Sequence, residues 1–143
     1  YRRTLKESLQ EGNYDWGIFT AAVADFQPES VFEGKLPSNQ KQLSLKLVPT
    51  VKVIEEVRQH FPELKMVTFK YEENISHEEL MEIAKNRLSE KGGSQLVVAN
   101  RVEEFKQDGT QVAWLLEPKQ EPQKHIGKKD IANAILDRIE LTA

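Results

Sequence analysis

Apolar, strand-like runs alternate along this chain with segments of helical periodicity, and no other feature limits the possible folds as much. The apolar runs are, in order, DWGIFTAAVADF, LSLKLV, LKMVTF, QLVVAN and TQVAWLLE. Between and after them, apolar residues recur every three or four positions in the ranges 50–60, 76–91 and 128–140. Strands joined through helices usually form parallel pairs, because a parallel connection must cross the face of the sheet. We therefore predict an α/β layer sandwich with a mainly parallel sheet.

The expected helices carry recognisable end signals. Ser76 followed by Glu79 forms a capping box, in which each residue satisfies a backbone N–H of the other. Thr50 is expected to cap a helix that runs to about His60. A further helix is predicted near the start of the chain, with Gly12 at its C-terminal end.

Two of the strand predictions depend on residue pattern alone. DWGIFTAAVADF has the apolar, partly β-branched composition of a strand buried on both faces, and it should end within residues 22–26. LSLKLV alternates Leu43, Leu45 and Leu47 with polar residues, which is the pattern of a half-buried strand. The polar stretches QPESVFEGKLPSNQKQ and EPKQEPQKHIG have no periodicity and are predicted to be loops.

Composition excludes several classes of protein. The 143 residues suit a single α/β domain spanning residues 1–143. A net charge of -3 argues against a nucleic-acid partner, and no apolar run approaches the ~18 residues of a membrane span. The absence of cysteine excludes disulfides, thiolate metal sites and cysteine nucleophiles. We expect a cytoplasmic protein with neither nucleic-acid nor membrane partners.

Common catalytic and metal-binding motifs are missing from the sequence. His60, His77 and His125 have neither HxxH nor HExxH spacing, so no metal site is predicted. GxSxG, Walker and GxGxxG sequences do not occur, which removes the basis for serine hydrolase and kinase functions.

One candidate site lies at the end of the first apolar run. Ligands in open α/β sheets bind outside the carboxyl ends of the strands, where loops are free to carry chemistry. Small side chains at Ala21 and Ala22 permit close approach of a ligand to the backbone, and Asp25 follows directly. Alternatively, Asp25 caps the turn that follows, and composition favours neither interpretation.

Two further candidates are basic. Lys35, behind Gly34 on a polar loop, could close over an anionic substrate as a point charge, although a lone loop lysine is usually just solvated. Arg87 and Lys91 lie one helical turn apart on one face. Without other information, that pair is better explained as part of a charged outer helix face.

The order of several motifs resembles one family of ligases. AAVADF, a loop containing GK, LSLKLVPT, MVTFKYE and QLVVAN follow one another as in the phosphopantothenoylcysteine synthetases. The resemblance implies a three-layer Rossmann-like sandwich that joins 4'-phosphopantothenate to cysteine in coenzyme A biosynthesis. It implies ATP or CTP as cosubstrate with Mg²⁺, an acyl-nucleotide intermediate, and a homodimer. From its alternating pattern and its place next to the loop, we expect the LSLKLV strand to pair between the two subunits.

The resemblance also assigns roles to individual residues. Lys35 matches the first lysine of the family's catalytic loop, and Asn100 matches an asparagine at the substrate. The positions that match the nucleotide site are Ala21, Ala22, Asp25, Phe69, Arg87 and Lys91. Glu72 lies beside the nucleotide position of Phe69.

Departures from the family pattern limit this assignment. Leu36, Pro37 and Ser38 follow Lys35 where many relatives have a KIKK loop, and FKYE stands where fused bacterial enzymes have FAAE. The family's Gly-rich phosphate loop is missing, so we expect an incomplete copy, the C-terminal part of a longer polypeptide or half of a split enzyme. The alternative is a non-catalytic nucleotide-binding or scaffolding half-domain. A flavoprotein decarboxylase is disfavoured because that activity relies on a cysteine.

Overall fold

Seven strands and four helices follow one another in the part of the chain that the structure describes. A computed structural model describes residues 1–36, 38–39, 41–89 and 93–141. The elements are α1 (Arg2–Glu11), β1 (Trp16–Phe19), β2 (Phe26–Pro28), β3 (Leu47–Pro49), α2 (Val53–His60), β4 (Lys65–Glu72), α3 (His77–Ser89), β5 (Leu96–Arg101), β6 (Val112–Leu116), β7 (Gln123–Ile126) and α4 (Lys128–Leu141). A 3₁₀ turn (Val102–Glu104) follows β5.

The main sheet has five strands in the order β1-β4-β5-β6-β7. β1, β4 and β5 are parallel, whereas β6 is antiparallel to both of its neighbours. Since β7 therefore points the same way as β5, every strand of this sheet except β6 has the same direction. The mainly parallel sheet predicted from the sequence is confirmed. β2 and β3 form a separate antiparallel ladder.

Helices cover both faces of the main sheet. On one face, α4 buries Ile131 and Ile135 against the middle strands. On the other face, α3 buries Leu80 and Ala84, and beside it α1 and α2 pack around Met66. The result is the predicted three-layer sandwich, with the core on both sides of β4 and β5.

Several locally encoded elements agree with the sequence prediction. The capping box is present: the Glu79 backbone N–H donates to Ser76 Oγ at 3.1 Å, and the Ser76 N–H donates to Glu79 Oε2 at 2.7 Å. Gly12 is the C-cap of α1, in an extended rather than a left-handed conformation. Across the described residues, no helix combines the length and the apolar character that a membrane span requires.

The prediction of one long buried first strand was wrong. β1 ends at Phe19, and the next residues leave the sheet before Phe26 begins β2. In the part of the chain that the structure describes, β1 is an edge strand of the main sheet, and Ile18 is 46% exposed. Residues 21–25 are consequently free to form the wall of a site.

The LSLKLV prediction was also wrong. β3 begins at Leu47 and pairs with β2 alone, and Leu43 and Leu45 precede it. All three leucines are more than half exposed, because no helix layer packs on this two-stranded ladder in the described structure.

Two smaller expectations also need correction. Thr50 does not cap α2, whose N-cap is Lys52, because the Thr50 hydroxyl donates to the carbonyl of Ala24 instead. The polar stretch EPKQEPQKHIG contains β7, since an edge strand that faces solvent can be polar.

Candidate functional site

A cleft of about 270 Å³ opens where the parallel strands β1 and β4 end. This is the edge at which open α/β sheets bind ligands, because the loops that follow the strands diverge there. Its walls come from the loop after β1, the segment before α2, the second half of β4 and one side chain of α3. The residues that line the cleft include Ala21, Ala22, Ala24, Asp25, Thr50, Lys52, Glu55, Thr68, Phe69, Lys70, Tyr71 and Arg87.

The first wall is the loop of residues 21–25, which is held in place by the segment before α2. The Thr50 hydroxyl donates to the carbonyl oxygen of Ala24 at 2.6 Å, and the Thr50 N–H donates to that of Asp25 at 2.9 Å. Ala21 and Ala22 are exposed and small, so a ligand can reach their backbone groups.

Asp25 carries the negative charge of this wall. Its Oδ1 accepts a hydrogen bond from Lys52 Nζ at 2.5 Å. This hydrogen bond and the nearby positive charge of Lys52 lower the pKa of the Asp25 carboxyl from its ordinary value. Asp25 is therefore an ionised acceptor at neutral pH, with a side chain that remains 68% exposed.

The second wall is the end of β4, which presents aromatic rings and a lysine. Phe69 and Tyr71, two residues apart on the same side of the strand, are 38% and 48% exposed. Lys70 points to the other side and pairs with Glu72 at 2.6 Å. A hydrogen bond that Tyr71 donates to Glu73 raises the pKa of its hydroxyl. This wall therefore offers apolar rings on one side of the end of β4 and a positive charge on the other.

The floor of the cleft is polar but internally satisfied. Thr68 lines the cleft, and its hydroxyl oxygen lies 2.7 Å from that of Ser94 in a hydrogen bond between two buried side chains. Arg87 reaches the cleft from α3 and is partly buried. The cleft can therefore bind a ligand that combines a planar ring with an anionic group.

The structure brings together most, but not all, of the site residues predicted from the sequence. Those that line the cleft are Ala21, Ala22, Asp25, Phe69 and Arg87. Lys35 is exposed on the loop after β2 and is not among the residues that line it. Asn100 is also absent from the lining and lies beside Tyr71 in the ladder between β4 and β5. Lys91 lies outside the described residues.

Sequence reasoning missed Thr50 and Lys52 as parts of this site. The sequence predicts a helix cap at Thr50 and no role for Lys52. One signal was available: a lysine at the predicted start of a helix opposes the partial positive charge of the helix N-terminus.

A second polar cluster lies at the end of β5, away from the residues that line the cleft. Glu104 accepts hydrogen bonds from His77 Nδ1, Arg101 Nε and Trp114 Nε1 at 2.7, 3.0 and 2.6 Å. Burial alone raises the pKa of the Glu104 carboxyl, but these three donors together lower it. Over the ranges that the structure describes, no group of three or more His, Asp or Glu side chains could hold a metal ion.

Comparison with known proteins gives one family. Residues 3–142 match the family described as "DNA/pantothenate metabolism flavoprotein C-terminal domain". The chain is 32% identical over 136 residues to the coenzyme A biosynthesis bifunctional protein CoaBC of Thermococcus kodakarensis, covering 95% of this chain and 33% of that protein. It is 34% identical over 143 residues to CoaBC of Methanocaldococcus jannaschii, covering 96% of this chain and 35% of that protein. The chain thus spans about a third of the length of these relatives.

Solved structures share the fold. The DNA/pantothenate metabolism flavoprotein from Streptococcus pneumoniae superposes with a TM-score of 0.81 at 24% identity, covering 99% of this chain and 70% of that one. The C-terminal domain of a coenzyme A biosynthesis bifunctional protein CoaBC superposes with a TM-score of 0.71 at 22% identity, covering 99% of this chain and 60% of that one.

Proposed function

The chain belongs to the DNA/pantothenate metabolism flavoprotein C-terminal domain family, and from this premise we propose that it takes part in joining 4'-phosphopantothenate to cysteine. The relatives named as coenzyme A biosynthesis proteins support this assignment. The observation that carries it is the cleft at the ends of β1 and β4, which assembles five of the residues that the ligase resemblance assigns to a nucleotide: Ala21, Ala22, Asp25, Phe69 and Arg87.

The nucleotide occupies this cleft in our proposal. Its base lies against the exposed ring of Phe69, since every base has an apolar face that stacks on aromatic rings. Asp25 accepts hydrogen bonds from hydroxyl or amino groups of the nucleoside. The backbone at Ala21 and Ala22 allows close approach. Arg87 provides positive charge for the triphosphate, which guanidinium groups bind well.

Magnesium accompanies the triphosphate in this proposal. Mg²⁺ is usually held by substrate phosphates with one or two carboxylates, and Glu55 is an exposed carboxylate on the cleft that fits this mode. When bound, the ion screens the negative charge of the phosphates.

The chemistry needs charge neutralisation and positioning more than a protein nucleophile. The pantothenate carboxylate attacks the α-phosphorus, pyrophosphate leaves, and an acyl-nucleotide forms. The cysteine amine then attacks the acyl carbon, and the nucleoside monophosphate leaves. Lys35 follows Gly34, whose φ of +99° is in the region that favours glycine. Lys35 does not line the cleft in the described structure, and in our proposal its loop moves to bring the lysine charge to the reacting phosphate. Asn100 contributes an amide to the substrate carboxylate.

Pyrophosphate release is the direct test. The chain is incubated with Mg²⁺, cysteine and either ATP or CTP, with and without 4'-phosphopantothenate. We expect release that requires 4'-phosphopantothenate, and the nucleotide that supports it names the cosubstrate. Absence of release with both nucleotides, from a chain that binds them, would contradict a complete ligase site and favour the second candidate below.

The second candidate function is a nucleotide-binding half-domain without turnover of its own. It is favoured by the positions of Lys35 and Asn100, neither of which lines the cleft in the described structure. Calorimetric binding of ATP or CTP without pyrophosphate release would identify it.

We also propose a homodimer that works in the cytoplasm without nucleic-acid or membrane partners. The ladder of β2 and β3 supports the dimer, since large apolar side chains in and beside it are exposed. They are Val23, Phe26, Val31, Phe32, Leu43, Leu45 and Leu47. Exposed apolar groups of this number are typical of protein interfaces. The net charge of -3 agrees with the lack of a nucleic-acid partner, and the lack of cysteine agrees with a cytoplasmic location.

A further inference from the structure

Lys52 connects the loop of residues 21–25 to the start of α2. Its Nζ lies 2.5 Å from Asp25 Oδ1, and the two side chains are 58% and 68% exposed. The two hydrogen bonds from Thr50 reach the same loop, at Ala24 and Asp25. The position of the Asp25 carboxylate in the cleft therefore depends on the short segment that precedes α2.

Lysine is an unfavourable residue at the place that Lys52 occupies. An N-cap position favours Ser, Thr, Asp or Asn, whose side-chain oxygen accepts a hydrogen bond from a free backbone N–H of the first turn. Lys52 is the N-cap of α2 and makes no such bond. Its charge also lies at the positive end of the helix dipole. Residues that are unfavourable for the local structure are concentrated at functional sites. The favourable contact that Lys52 does make is its hydrogen bond to Asp25.

The same contact favours the ionised form of Asp25. The hydrogen bond and positive charge of Lys52 lower the pKa of the Asp25 carboxyl, and the charge of Lys70 acts in the same direction. Both lysines line the cleft. The hydrogen bond from Lys52 fixes the orientation of the Asp25 carboxylate, and the charges of both lysines favour its ionised form.

We propose that Lys52 is a positioning residue for nucleotide recognition, which acts by holding Asp25 where it meets the nucleoside. This inference rests on the proposed function, in which Asp25 contacts the nucleotide. An exposed ion pair contributes little to folding. Loss of the Lys52 charge should therefore weaken nucleotide binding while leaving thermal unfolding unchanged.

The first test measures the Kd of the chain for ATP and for CTP by calorimetry. With the nucleotide that binds more tightly, Lys52→Met should raise the Kd by about threefold to fivefold, the size of effect typical of an exposed ion pair. Lys52→Arg should restore the wild-type Kd. Lys46→Met is the matched control, since Lys46 is an exposed lysine paired with Glu29 at 2.6 Å and does not line the cleft. It should leave the Kd unchanged.

A double-mutant cycle separates an indirect role from a direct contact. If Lys52 acts through Asp25, adding Lys52→Met to Asp25→Asn changes the Kd no further. An additive increase would assign Lys52 a contact with the nucleotide itself and overturn the positioning role. An unchanged Kd in Lys52→Met overturns this inference alone. Failure of the wild-type chain to bind either nucleotide would overturn the proposed function with it.

Discussion

The carboxylate of Glu104 accepts a hydrogen bond from the indole Nε1 of Trp114 at 2.6 Å, which connects the 3₁₀ turn after β5 to β6. The Trp114 ring is in turn tilted against His77, with ring centroids 4.7 Å apart. Glu104 thereby links three elements: α3 through His77, the end of β5 through Arg101, and β6 through Trp114. The side chain is 13% exposed, so these bonds are largely protected from water.

Removing this carboxylate should destabilise the fold. We expect Glu104→Ala to lower the free energy of unfolding by about 2 kcal/mol, because three partly buried donors lose their acceptor. Urea unfolding measures the change. Glu121→Ala, at an exposed glutamate, is the control and should stay within about 0.5 kcal/mol of wild type. Equal effects of the two substitutions would contradict the linking role of Glu104.

The contribution of Glu104 should depend on pH in a defined direction. Its pKa is lower in the folded chain than in the unfolded one, so folding favours the ionised carboxylate. The stabilisation is fully present above the unfolded pKa, about 4.3 for glutamate, and is lost as the pH falls through the lowered folded pKa. The stability difference between wild type and Glu104→Gln should therefore be largest near neutral pH and shrink in acid. A difference that grows below pH 4 would be incompatible with this assignment.

The hydrogen bond between the buried hydroxyls of Thr68 and Ser94 gives a second stability prediction. Thr68→Val leaves the Ser94 hydroxyl buried without its partner at 2.7 Å and should cost about 1 to 2 kcal/mol of unfolding free energy. Adding Ser94→Ala removes the unsatisfied group and should recover part of that loss. The coupling energy from a thermodynamic cycle measures the interaction. Strictly additive effects would indicate that the two hydroxyls do not interact.

Lys35 should matter to turnover and not to stability. Its side chain is exposed and buries little apolar surface, so Lys35→Gln should leave the unfolding midpoint unchanged. In the proposed reaction the Lys35 charge stabilises the phosphate under attack, so its loss should lower turnover by about 100-fold, measured as pyrophosphate release. Lys41→Gln, at another exposed lysine of the same loop, is the control. Parallel losses of turnover and stability in Lys35→Gln would count against a catalytic role.

Local sequence signals were sufficient to predict α3 and α4. The Ser76 and Glu79 capping box fixes the start of α3 through bonds between residues three positions apart. The spacing of Ile131 and Ile135 places one face of α4 on the sheet, and both are buried. These features depend on near neighbours in the chain, so the sequence displays them directly.

Strand limits could not be predicted in the same way, because the burial of a strand depends on which strands lie beside it. The apolar run that contains β1 has the composition of a central strand, yet β1 lies at the edge of the sheet and Ile18 is partly exposed. The alternation of Leu43, Leu45 and Leu47 correctly indicates an extended segment at Leu47, but not that its apolar side remains uncovered.

Asp25 and Phe69 could be predicted as site residues from the sequence. Both lie at the ends of apolar runs, and parallel strands bring such ends together at one edge of the sheet. The partner of Asp25 was not visible, because Lys52 is 27 positions away and the two meet through the pairing of β2 with β3. Long-range pairs of this kind require the tertiary structure.

The exposed ladder of β2 and β3 leads to the last prediction. Leu45 is 64% exposed, and in a symmetric dimer paired through this region each of its two copies would be buried. Burying one leucine side chain contributes about 1.5 to 3 kcal/mol, so Leu45→Asp should raise the dimer Kd by at least about 100-fold. Sedimentation at micromolar concentration measures the shift. Leu136→Asp is the matched control, because Leu136 is 50% exposed on α4, away from the ladder. A wild-type chain that sediments as a monomer would exclude the dimer, and equal shifts in both variants would place the interface elsewhere.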